Sequence, residues 1–344
     1  MSTDRPRMDR ADKAVLRLAI GLGLAVVIAY GLALTLAFVV CIVAVALLCK
    51  PGPPIPLLKG VILAAVIAAV MAAGVLMVPI LENYALAGVV VTGALLYAVF
   101  WLDGGRGTPR TMILVIAITL IPVAGVAEQA LAVALAEGLA LGIGIGALVS
   151  GISHAFFPDA PVPTPKADAT GRGESASWSA LQATLVVLPV FVLALSNPSF
   201  YFAAVMKSVT LALQAGAATA RSAGRELVGS TLMGAWMAAL VWLGLSLRPN
   251  LVMLTLWLMA AALWAGARMF GVKATSAPPS FWMNALVTML ILLGPAIEDS
   301  ANGKGVLRAS VMRVSLLVAV ALYAWATVWA LERWRAARSR STAG

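Results

Sequence analysis

NYALAGVVVTGALLYAVFWLDG, residues 83–104, and NLVMLTLWLMAAALWAGARMFG, residues 250–271, are apolar runs with the same punctuation, an asparagine before and a glycine after, offset by 167 residues. Asparagine favours helix starts and glycine favours helix ends, so each run reads as one helix entered and left in the same way. Working outward from these two, the chain reads as one six-helix unit written twice. The expected helices fall at about 14–34, 35–49, 56–80, 85–102, 111–127 and 130–157, then at about 180–196, 198–215, 226–246, 250–270, 279–297 and 306–332. The expected fold is an all-α polytopic membrane protein of about 12 spans, with residues 1–157 as the first repeat, 158–179 as a linker and 180–344 as the second repeat. The runs 35–49 and 180–196 fall short of the ~20 apolar residues a spanning helix needs, which leaves open whether they cross fully.

The composition agrees with the helix reading. Hydrophobic residues make up 62% of the 344 and charged residues 11%, too little charge to cover an aqueous surface. The net charge of +10 is not a nucleic-acid footprint, because the basic residues sit in short segments between apolar runs and at the termini. Only Arg248, Lys304 and Arg308 fall on the far side of an alternating topology, and Lys207 and Arg313 fall inside helices. The remaining Lys and Arg share the side of the N-terminus, which predicts that both termini are cytoplasmic. The basic stretch Arg5 to Arg17 before an apolar run resembles the start of a signal peptide. The run Leu18 to Leu34 is long enough to span, so it counts as the first helix.

Because each half has an even number of helices, both enter from the same side, and the repeat is parallel. Many secondary transporters are built from two such halves, with the substrate handled where they meet. The segment from Pro158, rich in Pro, Gly and Ser, reads as a flexible connector too short for a domain. Cys41 and Cys49 lie eight residues apart in one helix, about 12 Å along its axis, and cannot pair. Neither they nor the single histidine, His154, supply a metal or nucleophile motif. No enzyme, cofactor or metal centre is expected.

In a bilayer the polar residues are informative, because a charge at the centre costs at least ~2.5 kcal/mol. Lys207 lies mid-helix after Phe200, Tyr201 and Phe202, and reads as an anion-attracting group beside an aromatic wall, against the plainer role of a structural lysine. Glu137 and Arg313 fall at equivalent places of the two halves, offset by 176 residues. A pair between them is a structural clasp or a coupling site, and both readings stay open; in the second, protonating Glu137 releases Arg313 to an anionic substrate. Gly138, Gly142 and Gly146 recur every four residues and predict a close helix contact. The same glycine-rich faces are compatible with a homo-oligomer.

Phe200-Tyr201-Phe202 leading through Lys207 to a short polar loop, and then Gly224-Arg225-Glu226-Leu227-Val228-Gly229-Ser230-Thr231-Leu232-Met233-Gly234, resembles the aromatic-rich helix, loop and Arg-x-x-x-Gly-x-x-x-x-Gly helix of the fusaric acid resistance and aromatic acid exporter superfamily. Lys59-Gly60 stands where the weaker first-half copy has its counterpart of Val228-Gly229. The resemblance implies a bacterial inner-membrane protein that exports aromatic carboxylic acids or related small organic anions. It also implies a periplasmic membrane-fusion adaptor as partner, and proton-coupled antiport is the drive expected beside it. Lys207, Arg225, Arg313 and Tyr201 are then the expected substrate-binding residues, Glu137 the proton-coupling residue, and Gly229 and Gly234 packing positions. The chain lacks the sizeable cytoplasmic domain of longer members and so resembles a short branch. The rival expectation is a non-transporting membrane scaffold of a cell-envelope complex.

Overall fold

The computed structural model describes residues 9–49, 56–104, 107–158, 174–215, 220–301 and 306–341. Among these residues there is no strand. The helices are α1 (Arg10–Gly31), α2 (Ala37–Leu48), α3 (Leu57–Val75), α4 (Val78–Asn83), α5 (Ala85–Asp103), α6 (Pro109–Ala127), α7 (Gln129–Phe156), α8 (Glu174–Ser196), α9 (Pro198–Ala215), α10 (Ala220–Leu247), α11 (Leu251–Met269), α12 (Pro279–Ala301) and α13 (Val306–Ser341). Nine described helices are long and apolar enough to cross a membrane, with α3 and α4 together forming one of them, and three shorter apolar helices accompany them. The chain is an all-α, multi-pass membrane protein.

Local chemistry sets the ends of these helices. Gly104 and Gly271, the two punctuating glycines, both adopt left-handed backbone, at φ 64° and 81°, where a Cβ is strained. Asn250 caps α11 by accepting from the Met253 amide at 2.8 Å. Asn83 does not cap α5 in the same way; its side-chain amide donates to the Pro79 carbonyl at 2.8 Å. Proline opens α6 and α12, where its missing N–H costs nothing. Between α1 and α2 the chain reverses through Ala33 and Leu36, both left-handed at φ 50° and 55°.

Several boundaries differ from the sequence expectation. The helix expected from residue 180 begins at Glu174, inside the expected linker, of which residues 159–173 lie outside the described residues. Expected from 226, α10 starts at Ala220 and takes Glu226 into its first turns. The helix expected at 279–297 runs on, since α12 continues to Ala301. Each extension has the same cause: polar residues near a membrane surface still continue a helix whose backbone bonds are already formed.

Which residues meet fixes the relative directions of packed helices. The glycines of α7 meet α2 in rising order, Gly138 near Val39, Gly142 near Val43 and Gly146 near Leu47, so these two run the same way. Gly23 meets Met259 while Gly266 meets Leu18, so α1 and α11 run oppositely. Lys13 and Arg17 at the start of α1 donate to the Pro158 and Phe157 carbonyls past the end of α7, which puts those ends on one side of the molecule. Among α1–α7, α1 packs on α2, α2 on α7, α3 on α6 and α7, and α5 on α6. Within the last six, α8 packs on α9, α9 on α13, α10 on α12 and α13, and α11 on α12. Across the middle, α1 meets α11, α5 meets α8, α2 meets α12 and α6 meets α9. The outward faces of α3 and α5 carry Leu58, Val61, Ile62, Val66, Leu86 and Val90, all exposed, as surfaces against lipid require.

Candidate functional site

α9, α10 and α12 converge on one buried polar cluster. Lys207, near the middle of α9, is 0% exposed. Its ammonium donates to Asn284 Oδ1 at 3.0 Å and to Thr288 Oγ1 at 2.6 Å, both on α12. The Asn284 amide in turn donates to Ser230 Oγ of α10 at 2.5 Å, and the Thr288 hydroxyl donates to the Asn284 carbonyl at 2.6 Å. Asn284, Thr288 and Ser230 are all buried. Asn284 and Thr288 are four residues apart and so stack on one helix face, where a single lysine reaches both. Close approach of α10 to α12 permits this: a methyl group on Gly234 would stand 2.6 Å from the Ala285 carbonyl oxygen.

Among the described residues no carboxylate lies within ion-pair distance of Lys207, whose partners are neutral acceptors. Two of its three ammonium protons are accounted for by these bonds. A buried ammonium with only neutral partners projects its charge onto whatever lies beside it.

Beside it is a cavity of about 460 Å³. The wall from α2, α3, α6 and α7 is apolar, with Ile67, Met71, Ile113 and Ile143 among its side chains. From α9, α10 and α12 come Thr210, Glu226, Ser280 and Asn284, so nearly all the polar groups stand on one side. The cavity reaches from the turn between α5 and α6, at Gly107, to the middle of α7 at Leu139. It therefore occupies the half of the molecule nearer the start of α1. Toward the other end, α2 and α12 close on each other where Phe38 packs over Gly294.

The turn at the cavity's edge is itself tightly bonded. Asp103, at the end of α5, accepts from the Gly107 amide at 2.7 Å, from the Thr108 amide and hydroxyl at 3.2 and 2.7 Å, and from the Thr111 hydroxyl at 2.5 Å. A side chain at Gly107 would meet the Leu213 carbonyl of α9. These bonds tie the start of α6 to the end of α5, with Gly107 close against α9.

The residues singled out in the sequence fall in different places. Lys207 stands behind Asn284 and does not line the cavity directly. Tyr201 is half-buried nearer the start of α9 and packs edge-on against Phe200, with ring centroids 4.9 Å apart. The side chain of Arg225 lies outside the described residues. Arg313 does not pair with Glu137: its Nη2 lies 2.7 Å from Asp299 Oδ2, an ion pair between α13 and α12. Glu137 is exposed, and its neighbour Gly138 is level with Thr35 in the α1–α2 turn. The 28-residue α7 begins beyond that turn, so a residue well inside the helix is near the end of the α1–α2 hairpin. Gly138, Gly142 and Gly146 face α2; a methyl on Gly142 would stand 3.3 Å from the Val40 Cα. Gly229 faces Phe281 of α12.

Asn284, Thr288, Ser230 and Glu226 escaped the sequence reading. The available signal was an Asn and a Thr four residues apart in an otherwise apolar helix. Arg268 is no free cation: its guanidinium stacks 3.9 Å from the Trp264 ring centroid and donates to the Trp264 carbonyl. Comparison with models of known families, with curated proteins and with solved structures gave no match to this chain.

Proposed function

We propose that this protein is a transporter of small organic anions, exporting them through a cavity between two parallel six-helix repeats. The single observation that carries the reading is the fully buried, carboxylate-free Lys207 held against the wall of that cavity through Asn284. A charge so placed costs free energy that folding does not recover, and an anionic ligand supplies the missing counter-charge. Asn284 accepts from Lys207 and gives one amide hydrogen to Ser230, which leaves its second for a carboxylate. The apolar wall opposite suits the body of an aromatic or aliphatic acid.

The twelve-span, two-repeat reading is supported by the recurrence of neighbours. The packing of α1 on α2, α2 on α7 and α3 on α7 has counterparts in α8 on α9, α9 on α13 and α10 on α13. The cross-contacts also come in matched pairs, α1 with α11 beside α8 with α5, and α2 with α12 beside α9 with α6. Such a pattern is what a pseudo-twofold axis along the membrane normal produces, with the cavity beside it. The polar cluster belongs to the second half alone, so transport would use one specialised site.

The resemblance to aromatic acid exporters adds the bacterial inner membrane, cytoplasmic termini, proton drive and a periplasmic adaptor to this proposal. The excess of Lys and Arg on the side of the α1 start is consistent with that orientation. Glu137 has no part in this reading, since it is exposed and does not line the cavity.

The test is accumulation of a radiolabelled hydroxybenzoate in cells lacking the gene, expressing it, or expressing Lys207→Ala at equal membrane abundance, with and without a protonophore. Lower accumulation with the wild type alone, abolished by the protonophore, is the expected result. Equal accumulation in all three strains would instead favour the scaffold role.

A further inference from the structure

Glu226 lines the same cavity from α10, half-buried, and has no ion pair among the described residues. Ser230 lies four residues further along α10, on the same face. Its hydroxyl takes the Asn284 amide at 2.5 Å, and Asn284 takes the Lys207 ammonium at 3.0 Å. The acid therefore stands on the cavity wall and the base behind it, four residues of α10 (about 6 Å of rise) and a hydrogen-bonded Ser–Asn pair apart. They do not meet. Direct pairing would relieve the desolvation of Lys207, yet two neutral side chains are interposed, so Glu226 and the Asn284 amide face the cavity while Lys207 backs Asn284.

We infer that the cavity takes an amphoteric ligand, a small carboxylate whose far end carries an ammonium or another strong hydrogen-bond donor, lying between the Lys207–Asn284 pair and Glu226. The inference rests on the anion reading above and narrows it. A simple monoanion satisfies Asn284 and Lys207 but leaves its apolar body over a carboxylate that has lost water, at a desolvation cost. A dicarboxylate brings a second negative charge to Glu226 and is repelled. A ligand with a carboxylate at one end and a donor at the other meets both groups, while its middle rests on the Ile67, Met71 and Ile113 side of the cavity. Glu226 is thereby a specificity-determining residue, and Lys207 and Asn284 form the anion end.

The experiment measures binding to the full chain in lipid nanodiscs with three probes of one shape: para-aminomethylbenzoate, para-methylbenzoate and terephthalate. The wild type is expected to bind the aminomethyl compound about tenfold or more tighter than the methyl compound, as a hydrogen bond to a charged group gives, with terephthalate weakest. Glu226→Gln should weaken the aminomethyl compound and strengthen the other two, reversing the rank against terephthalate; that gain for two probes also reports an intact fold. Glu226→Asp should keep the rank with a smaller span. Equal affinity of the wild type for the aminomethyl and methyl compounds, or a preference that survives in Glu226→Gln, overturns the inference. Binding of the methyl compound as tight as the other two, lost in Lys207→Met, would leave the anion reading standing without it. Binding of none of the three removes the anion site and this inference with it.

Discussion

Lys207 Nζ lies 2.6 Å from Thr288 Oγ1 in the interior of a membrane protein, with no carboxylate among the described residues to neutralise it. An unneutralised charge at that position is a cost to the folded state. Lys207→Met should therefore leave thermal stability little changed, because losing the desolvation cost of the charge offsets the Asn284 acceptor left unbonded. Transport of the hydroxybenzoate should be lost in the same variant. A lowered melting temperature in detergent, with transport falling only in proportion to folded protein, would make Lys207 a clasp.

Asn284→Asp tests the same cluster from the other side. The substitution is isosteric and places a carboxylate 3.0 Å from the ammonium at the position of Asn284 Oδ1. The new ion pair neutralises Lys207 internally and presents negative charge to the cavity. Anion binding should fall by at least about tenfold, the equivalent of 1.4 kcal/mol, while Asn284→Gln should retain part of it. Equilibrium binding to the purified variants distinguishes these outcomes from general misfolding, since the Asp variant is expected to be no less thermostable than the wild type.

How far the sequence carried is visible in particular residues. The long apolar runs and their glycine stops were legible, because Gly104 and Gly271 adopt the left-handed conformation that ends a helix. The lysine at position 207 stood out because a charge in an apolar run needs a reason. Its partners did not, since Asn284 and Thr288 are ordinary polar residues until the fold brings α12 beside α9. Glu226 was read as the start of a helix that in fact begins six residues earlier at Ala220. The Glu137–Arg313 pair does not form, because matching offsets in sequence fix neither which face of a helix a residue occupies nor its depth, and Glu137 is exposed while Arg313 meets Asp299. Asp299, five residues beyond Gly294 on α12, is the partner Arg313 finds.

Asp103 organises the turn that joins α5 to α6 beside α9. Its carboxylate accepts from two backbone amides and two hydroxyls of residues 107–111, several of which would otherwise be orphan donors at a helix start. Asp103→Ala should destabilise the protein by about 2–3 kcal/mol, more than a single lost cap. Asp103→Asn, which keeps an acceptor oxygen, should cost about half as much. Chemical denaturation in detergent, read by tryptophan fluorescence, gives both values; equal costs would mean that charge rather than acceptor geometry holds the turn.

Phe38 and Gly294 form the contact that closes the α2–α12 seam beyond the cavity. A methyl group added at Gly294 would overlap the Phe38 ring, and Pro295 follows directly in the helix. Gly294→Ala should thus cost about 1–3 kcal/mol by overpacking, because the ring has no free space to enter in a packed interior. Phe38→Leu should restore much of that loss in the double variant, although alone it costs stability by removing ring contacts. The coupling energy from the full cycle is the quantity to measure. A coupling near zero would show that α12 shifts to accept the methyl group, so that the seam is compliant there. A coupling of about 1 kcal/mol or more would mark Phe38 and Gly294 as one packed unit, and any passage of a ligand from the cavity to the far side would have to separate them.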